Sequence, residues 1–352
     1  MGHRRPRTPR CRMTPPQYQV PGRHILNEVL DAYQPFRPQI EDQHVRVVVF
    51  RFEPAADAPP RWVTRMAASE VSAAQKERTF TRLGVRAAPV ALPDRASLAQ
   101  LLDALQAANE APDVAAIIVQ TPLPARLERA IDQIEPSKDI DALGAHSQHP
   151  ACATADGIAR IAAPFLENGS SCAVVGARGF VGSGVVELLH RGGHRPLVLD
   201  QGDDLRQVRD VDVVISTTGR AGLLTAEHLH TGHRLVIDSG FVPHPAGPIG
   251  DVHPSAAHLP QTITPVPGGI GPVEMATLAE RLVTQLAAPQ MSQWRFLGRG
   301  SHTDAGVAAG PFTTVRRGVE RQLAQAQSHD IESARRRERA HQDRDEVSGL
   351  EA

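Results

Sequence analysis

CAVVGARGFVGSGVVELLHRGGHRPLVLD, residues 172–200, decides the fold. A short apolar run enters a turn carrying Gly176, Gly179 and Gly182; a helical apolar pattern follows, and a second apolar run ends at Asp200. The order is strand, glycine turn, helix, strand. The spacing is not GxGxxG, and a glycine pattern alone is weak; the strand before it and the helix after it supply the context. Bare backbone lets a pyrophosphate approach a helix N-terminus, where free N–H groups and the helix dipole favour an anion. Arg178 can add a charge-assisted contact to a phosphate. A carboxylate at the end of the second strand commonly binds an adenosine ribose, so Asp200 favours NAD. Arg178 favours NADP if it reaches a 2′-phosphate. The bland reading of Asp200, a solvated loop acid before QGDD, stands level with the functional one.

Working outward, residues 210–219, 233–240 and 261–269 supply three more strand ends. These are apolar runs rather than alternations, as expected of parallel strands buried on both faces. Gly219 in STTG and Phe241 in DSGF fall at strand ends, where a doubly wound sheet binds its ligand. Upstream, 45–52 reads as a strand, 69–84 as a helix with Ser69 as N-cap and Gly84 as its stop, and 85–93 as a short strand. Residues 98–106 form a helix presenting Leu98, Leu101, Leu102 and Leu105 on one face, 114–120 a buried strand, and 157–167 a helix. The chain is therefore α/β with two domains: an α/β catalytic domain and a Rossmann-like, doubly wound parallel-sheet nucleotide-binding domain.

The 352 residues are 41% hydrophobic and 22% charged, with a net charge of −1, which gives no global reason to expect nucleic acid or a membrane as partner. No apolar run approaches a membrane span. Cys11, Cys152 and Cys172 are odd in number, lack metal-ligand spacing and read as reduced thiols of a cytoplasmic protein; no metal site is expected. The basic first residues read as a disordered arm, or as a start placed too early with Met13 the true one. The charge-dense segment after about residue 289 reads as a disordered tail.

Several residues carry possible chemistry. Lys76 lies mid-helix, and a helical lysine becomes a proton-transfer group when its surroundings lower its pKa. Gln120 sits at the lip of a buried strand, where it can bond a ligand or merely cap a turn. Asp139 and Asp141 can bind a donor-rich heterocycle or shape a loop. TPVPGGIGPVEMATL, residues 264–278, crowds prolines and glycines just before a helix.

Four segments, in order, carry a family resemblance: SEVSAAQKERTFTRLGV, IIVQTPLP, PSKDIDALG and ITPVPGGIGPVEMATL. From about residue 20 to 286 the chain resembles the bifunctional methylenetetrahydrofolate dehydrogenase/methenyltetrahydrofolate cyclohydrolase family. The resemblance implies oxidation of 5,10-methylenetetrahydrofolate with NADP, or NAD as the alternative, then hydrolysis to 10-formyltetrahydrofolate. It implies Lys76 as proton shuttle with Gln120 orienting it, and Asp141 on the pterin donors. Ser72, Val119, Thr121 and the run Pro267, Gly268, Gly269, Ile270, Gly271 and Pro272 fall on substrate-contacting positions. Gly176, Ala177, Arg178, Gly182 and Phe241 fall on cofactor-contacting ones. It also implies a homodimer, and a last helix that returns to the first domain. The implied division is 1–22 as arm, 23–150 plus 272–288 as folate domain, 151–271 as nucleotide domain and 289–352 as tail.

The chain departs from the family pattern at several points. Ser72 replaces a tyrosine, Ala142 a glycine, GAR a GRS, and Val273 and Glu274 a methionine and threonine. A Pro-rich insertion spans about 54–66. The alternatives are a paralogue with one activity or another one-carbon substrate, and a non-catalytic folate- or nucleotide-binding protein. An unrelated Rossmann dehydrogenase would leave VQTPLP unexplained.

Overall fold

The run RVVVFRFE forms a strand whose two faces feed two cores. Val47 and Val49 point to one apolar cluster, Val48, Phe50 and Phe52 to the other. A strand buried on both faces needs helices on both, and the surrounding chain supplies them. The computed structural model describes residues 18–20 and 22–287; the tail and most of the basic arm lie outside them.

In chain order, the first half comprises β1 (Tyr18–Gln19), α1 (Gly22–Tyr33), α2 (Arg37–Glu41), β2 (Arg46–Glu53), α3 (Pro60–Arg82), β3 (Arg86–Pro93), α4 (Leu98–Glu110) and β4 (Val114–Val119). The second half comprises α5 (Ala153–Ala162), β5 (Cys172–Val175), α6 (Phe180–Arg191), β6 (Leu197–Leu199), β7 (Val213–Ser216), β8 (Leu235–Asp238), β9 (Thr262–Ile263) and α7 (Ile270–Leu286). The strands make two parallel sheets, ordered β3-β2-β4 and β1-β9-β8-β7-β5-β6. β3 carries Pro89 and lies at a sheet edge, where a missing N–H is tolerated.

Four expectations shift. The helix expected from Ser69 begins at Pro60, so Ser69 is a buried interior residue and not an N-cap. Proline suits the first helical position because its missing N–H would have no partner there anyway. Much of the Pro-rich insertion is thus extra helix at the mouth of the later cleft. Leu98, expected on the buried face of α4, is exposed in the first turn, while Leu101 and Leu105 are fully buried. Ser97 and Gln100 close a capping box on that helix. The helix expected over 157–167 begins earlier, at Ala153, and tightens into short 3-10 turns after Ala162. Tyr18–Gln19, within the expected arm, pair in parallel with β9.

In the larger sheet, β5 has β6 on one side and β7 on the other, so successive crossovers leave β5 in opposite directions. The crevice at such a switch point is where open α/β sheets take ligands. α7 does not stay with the sheet it leaves; it lies against α1, α3 and α5.

Candidate active site

A cleft of about 720 Å³ opens between the two sheets. One wall is α3, the second the end of β4, the third the segment 265–274, and the far end the loops after β7 and β8. Ser72, Gln120 and Thr121 line it on the first-sheet side, Gly219 and Phe241 on the second-sheet side. Pro267, Gly268, Gly269, Ile270, Gly271 and Pro272 form the wall between them. The glycines of this wall serve two ends. Gly268 has φ +104°, which favours glycine. A Cβ on Gly269 would come within 2.6 Å of the Pro265 carbonyl oxygen, so that position is bare to let the chain turn on itself.

Lys76 lies one helical turn from Ser72 and is 1% exposed. Its Nζ donates to Ser72 Oγ at 3.0 Å and to Glu274 Oε1 at 2.5 Å. Burial lowers the lysine pKa, but the charges of Glu274 and Asp141 outweigh it and the net direction is upward. The lowered pKa expected of a proton-transfer lysine is therefore not found: Lys76 is held as an ammonium. Asp141 accepts from the Ala153 N–H at the start of α5, and burial pushes its pKa up to about 6 even though Lys76 pulls it down. Asp139 does the loop-shaping, accepting from the N–H groups of Leu143 and Gly144.

Gln120 continues β4, its N–H bonded to the Phe50 carbonyl at 2.8 Å. Its buried Oε1 has no hydrogen-bond partner among the described residues. An orphaned buried acceptor at a cleft wall costs about 1–3 kcal/mol and is suited to a ligand donor. Val119, expected on the substrate side, instead packs its side chain into the core with Val48 and Leu123. Strand alternation puts it on the face opposite to Gln120.

The second crevice, about 270 Å³, is lined by Gly176, Gly179, Asp200 and Thr217, and shares Thr218 with the main cleft. Gly176 has φ +81°, and a Cβ on Gly182 would strike the Gly176 carbonyl oxygen. The glycines therefore let α6 close on its turn, leaving a cradle of bare backbone. This fits a dinucleotide's phosphates. Asp200 accepts from the N–H groups of Arg178 and Gln201, which hold its pKa below the usual range. Ala177 is buried in the core, so only its backbone faces the turn. The Arg178 side chain is exposed.

Sequence reasoning missed a buried ionic network. Arg160 pairs with Asp156 and Glu280 at 2.7 and 2.6 Å, and Arg281 with Asp156 at 3.1 Å. Arg281 also donates to the carbonyls of Ile140 and Ala151, bracketing the loop that carries Asp141. Its only sequence signal is charge inside apolar helical runs: Asp156 and Arg160 one turn apart, and Glu280–Arg281 between Leu278 and Leu282. Among the described residues no cluster could hold a metal ion, and no helix is long and apolar enough to cross a membrane.

Two parallel sheets, a glycine cradle at a switch point and a shared cleft lined by Gln120 and by Ser72 and Glu274, which hold the buried Lys76, define an NAD(P)-linked α/β enzyme. Residues 62–141 match the catalytic domain of tetrahydrofolate dehydrogenase/cyclohydrolase, and 152–290 its NAD(P)-binding domain. The chain belongs to the tetrahydrofolate dehydrogenase/cyclohydrolase family. It is 31% identical over 233 residues to the bifunctional protein FolD of Lacticaseibacillus paracasei, covering 62% of this chain and 82% of that one. It is 32% identical over 228 residues to FolD 1 of Streptomyces avermitilis, covering 60% and 78%. Its fold is similar to that of the methylenetetrahydrofolate dehydrogenase-cyclohydrolase of Trypanosoma brucei, solved with NADP and an inhibitor. The TM-score is 0.65 at 24% identity, with 77% of this chain and 98% of that one covered. The Campylobacter jejuni bifunctional enzyme aligns with a TM-score of 0.65 at 21% identity, over 77% and 98%.

Proposed function

We propose that the chain oxidises 5,10-methylenetetrahydrofolate to the methenyl compound with NAD(P)+ and hydrolyses that product to 10-formyltetrahydrofolate. The observation that carries this is one cleft that meets the glycine cradle and is lined by Gln120, Ser72 and Glu274, with Lys76 buried behind the last two and Asp141 within reach of its charge. Bound NAD(P)+ supplies a hydride acceptor. The chain's own residues do the rest. Asp141 accepts hydrogen bonds from the pterin amino and amide groups. The orphaned Gln120 oxygen accepts from a donor near the reacting centre. Lys76 holds a proton at Nζ, and the 267–272 wall fixes the substrate against water. Gly176, Ala177 and Arg178 form the turn against which the dinucleotide lies, their own N–H groups bonded to the Leu199 carbonyl and to Asp200, with Gly182 keeping α6 close; Asp200, Gly219 and Phe241 border it.

The same reading divides the chain into a folate domain, 23–150 plus 272–288, and a nucleotide domain, 151–271. The separate sheets and the return of α7 to α1 support it. A cytoplasmic homodimer completes the proposal, supported by the family resemblance. Gel filtration with light scattering measures the oligomeric state.

Purified protein mixed with 5,10-methylenetetrahydrofolate and either NAD+ or NADP+ tests the function by absorbance of the reduced cofactor. Reduction with either supports the dehydrogenase, and the better cofactor decides whether Asp200 or Arg178 governs selectivity. No reduction with either, and no accelerated loss of the methenyl compound, rejects the proposal.

A further inference from the structure

Glu274 stands where the family pattern has a threonine, and it faces Ser72, which stands where the pattern has a tyrosine. The two departures meet on Lys76. Its ammonium bridges the serine hydroxyl and the new carboxylate, at 3.0 and 2.5 Å. The ammonium itself is sealed from solvent, but the Glu274 side chain is 16% exposed and lines the cleft beside Ser72 and Gly271. Among the described residues the carboxylate's hydrogen bond is to Lys76 through Oε1. Oε2 is left for whatever occupies the cleft. Asp141 and the Cys152 thiol are the other titratable groups near the pair, on the loop before α5 and at its N-cap.

This arrangement changes which group can take a proton. A lysine flanked by two carboxylates in a dry site stays charged. An ammonium has no lone pair and accepts nothing. Hydrolysis of a cationic methenyl bridge still needs an acceptor for the proton of the attacking water. Asp141 is buried, has one oxygen on the Ala153 N–H and, in the function proposed above, is taken by the pterin donors. Glu274 is the carboxylate of the pair that opens on the cleft.

We propose that Glu274 is the proton acceptor of the hydrolytic step, with Lys76 acting as its ammonium partner. The inference rests on the function proposed above. Water adds to the methenyl carbon; one of its protons passes to Glu274, and the π electrons of the C=N bond return to nitrogen, discharging the cation. The resulting carbinol then collapses. The carbon–nitrogen bond to the ring breaks with its electron pair, and Lys76 gives that nitrogen a proton. The carbinol O–H proton replaces the one Lys76 gave. One proton remains, on Glu274, and leaves to solvent. Nothing is oxidised or reduced.

The test follows loss of the methenyl compound by absorbance with wild type, Glu274→Gln, Glu274→Asp and Glu274→Ala. Circular dichroism and NAD(P) binding serve as controls for folding. Glu274→Gln is expected to lower kcat about 100-fold or more, in the range of a positioned acid–base group. Glu274→Asp recovers part of the loss. Formate and, more strongly, the more basic acetate restore Glu274→Ala, while chloride does not. Hydrolysis by Glu274→Gln within threefold of wild type overturns the proposal. So does rescue by chloride equal to that by acetate, which would mean that the carboxylate only balances charge. Wild type that reduces NAD(P)+ but leaves the methenyl compound intact also overturns it, while sparing the dehydrogenase reading. Wild type showing neither activity defeats the functional reading itself.

Discussion

Replacing Arg281 with methionine tests whether the buried ionic network positions Asp141, the aspartate proposed to bind folate. Arg281 is 1% exposed, and its acceptors include the Ile140 and Ala151 carbonyls at 2.8 and 2.9 Å and Asp156 at 3.1 Å. Methionine keeps most of the volume but none of the donors. Two buried carbonyls lose their guanidinium partner, at about 1–3 kcal/mol each if nothing replaces it. Asp156 keeps Arg160 through both oxygens, which limits the damage there. Breaking one member of a buried network costs about 3–5 kcal/mol in total. At about 2–4 °C per kcal/mol for a domain of roughly 150–250 residues, the melting temperature of the domain holding the network should fall by on the order of 10 °C. Because Ile140 adjoins Asp141, KM for the folate substrate should rise more than KM for the dinucleotide. Differential scanning calorimetry and steady-state kinetics at saturating cofactor measure both. A loss below 1 kcal/mol with unchanged folate KM would refute the reasoning.

Four further outcomes are expected. Lys76→Ala abolishes hydrolysis of the methenyl compound, and an unchanged rate rejects any role for the ammonium. Ser72→Tyr restores an aromatic wall to the cleft and tightens folate binding by about 1 kcal/mol, roughly fivefold in Kd by calorimetry; weaker binding would show that the serine–lysine bond matters more. Folate affinity rises with pH through about 6, since Asp141 accepts from pterin donors best when ionised and is protonated below that value. A Kd flat from pH 5 to 8 would remove Asp141 from the site. Ala142→Gly, at a residue with φ +50°, relieves a left-handed strain of about 1–2 kcal/mol against about 0.5–1 kcal/mol of added chain entropy. A modest rise in melting temperature is expected, and a fall would show that the Ala142 methyl packs usefully.

Local chemistry made the glycine turn at 176–182 readable, because positive φ and close approach leave their mark at the residue concerned. The same holds for Gln120 at the end of an apolar strand. Local chemistry could not tell Asp139 from Asp141; only the family resemblance singled out Asp141. Two residues apart on a loop, they differ only in what folds over them. The start of α3 was hidden because Pro59 and Pro60 look like a loop, although one of them serves as a helix opening. The pairing of Lys76 with Glu274 spans 198 positions, so no local pattern could announce it. Arg281 and the Ile140 carbonyl are separated by 141. Each of these contacts exists only once α7 has come back across the cleft.

That return has a consequence for synthesis. α1 is among the first elements to leave the ribosome, yet its principal helical neighbour, α7, is the last described one. β1 likewise waits for β9. β5 through β8, by contrast, find all their strand partners within a short span of chain. The nucleotide-binding sheet can therefore assemble during translation, while the first sheet remains open along its α7 face. A nascent chain halted before about residue 270 would be able to hold a dinucleotide but not a folate.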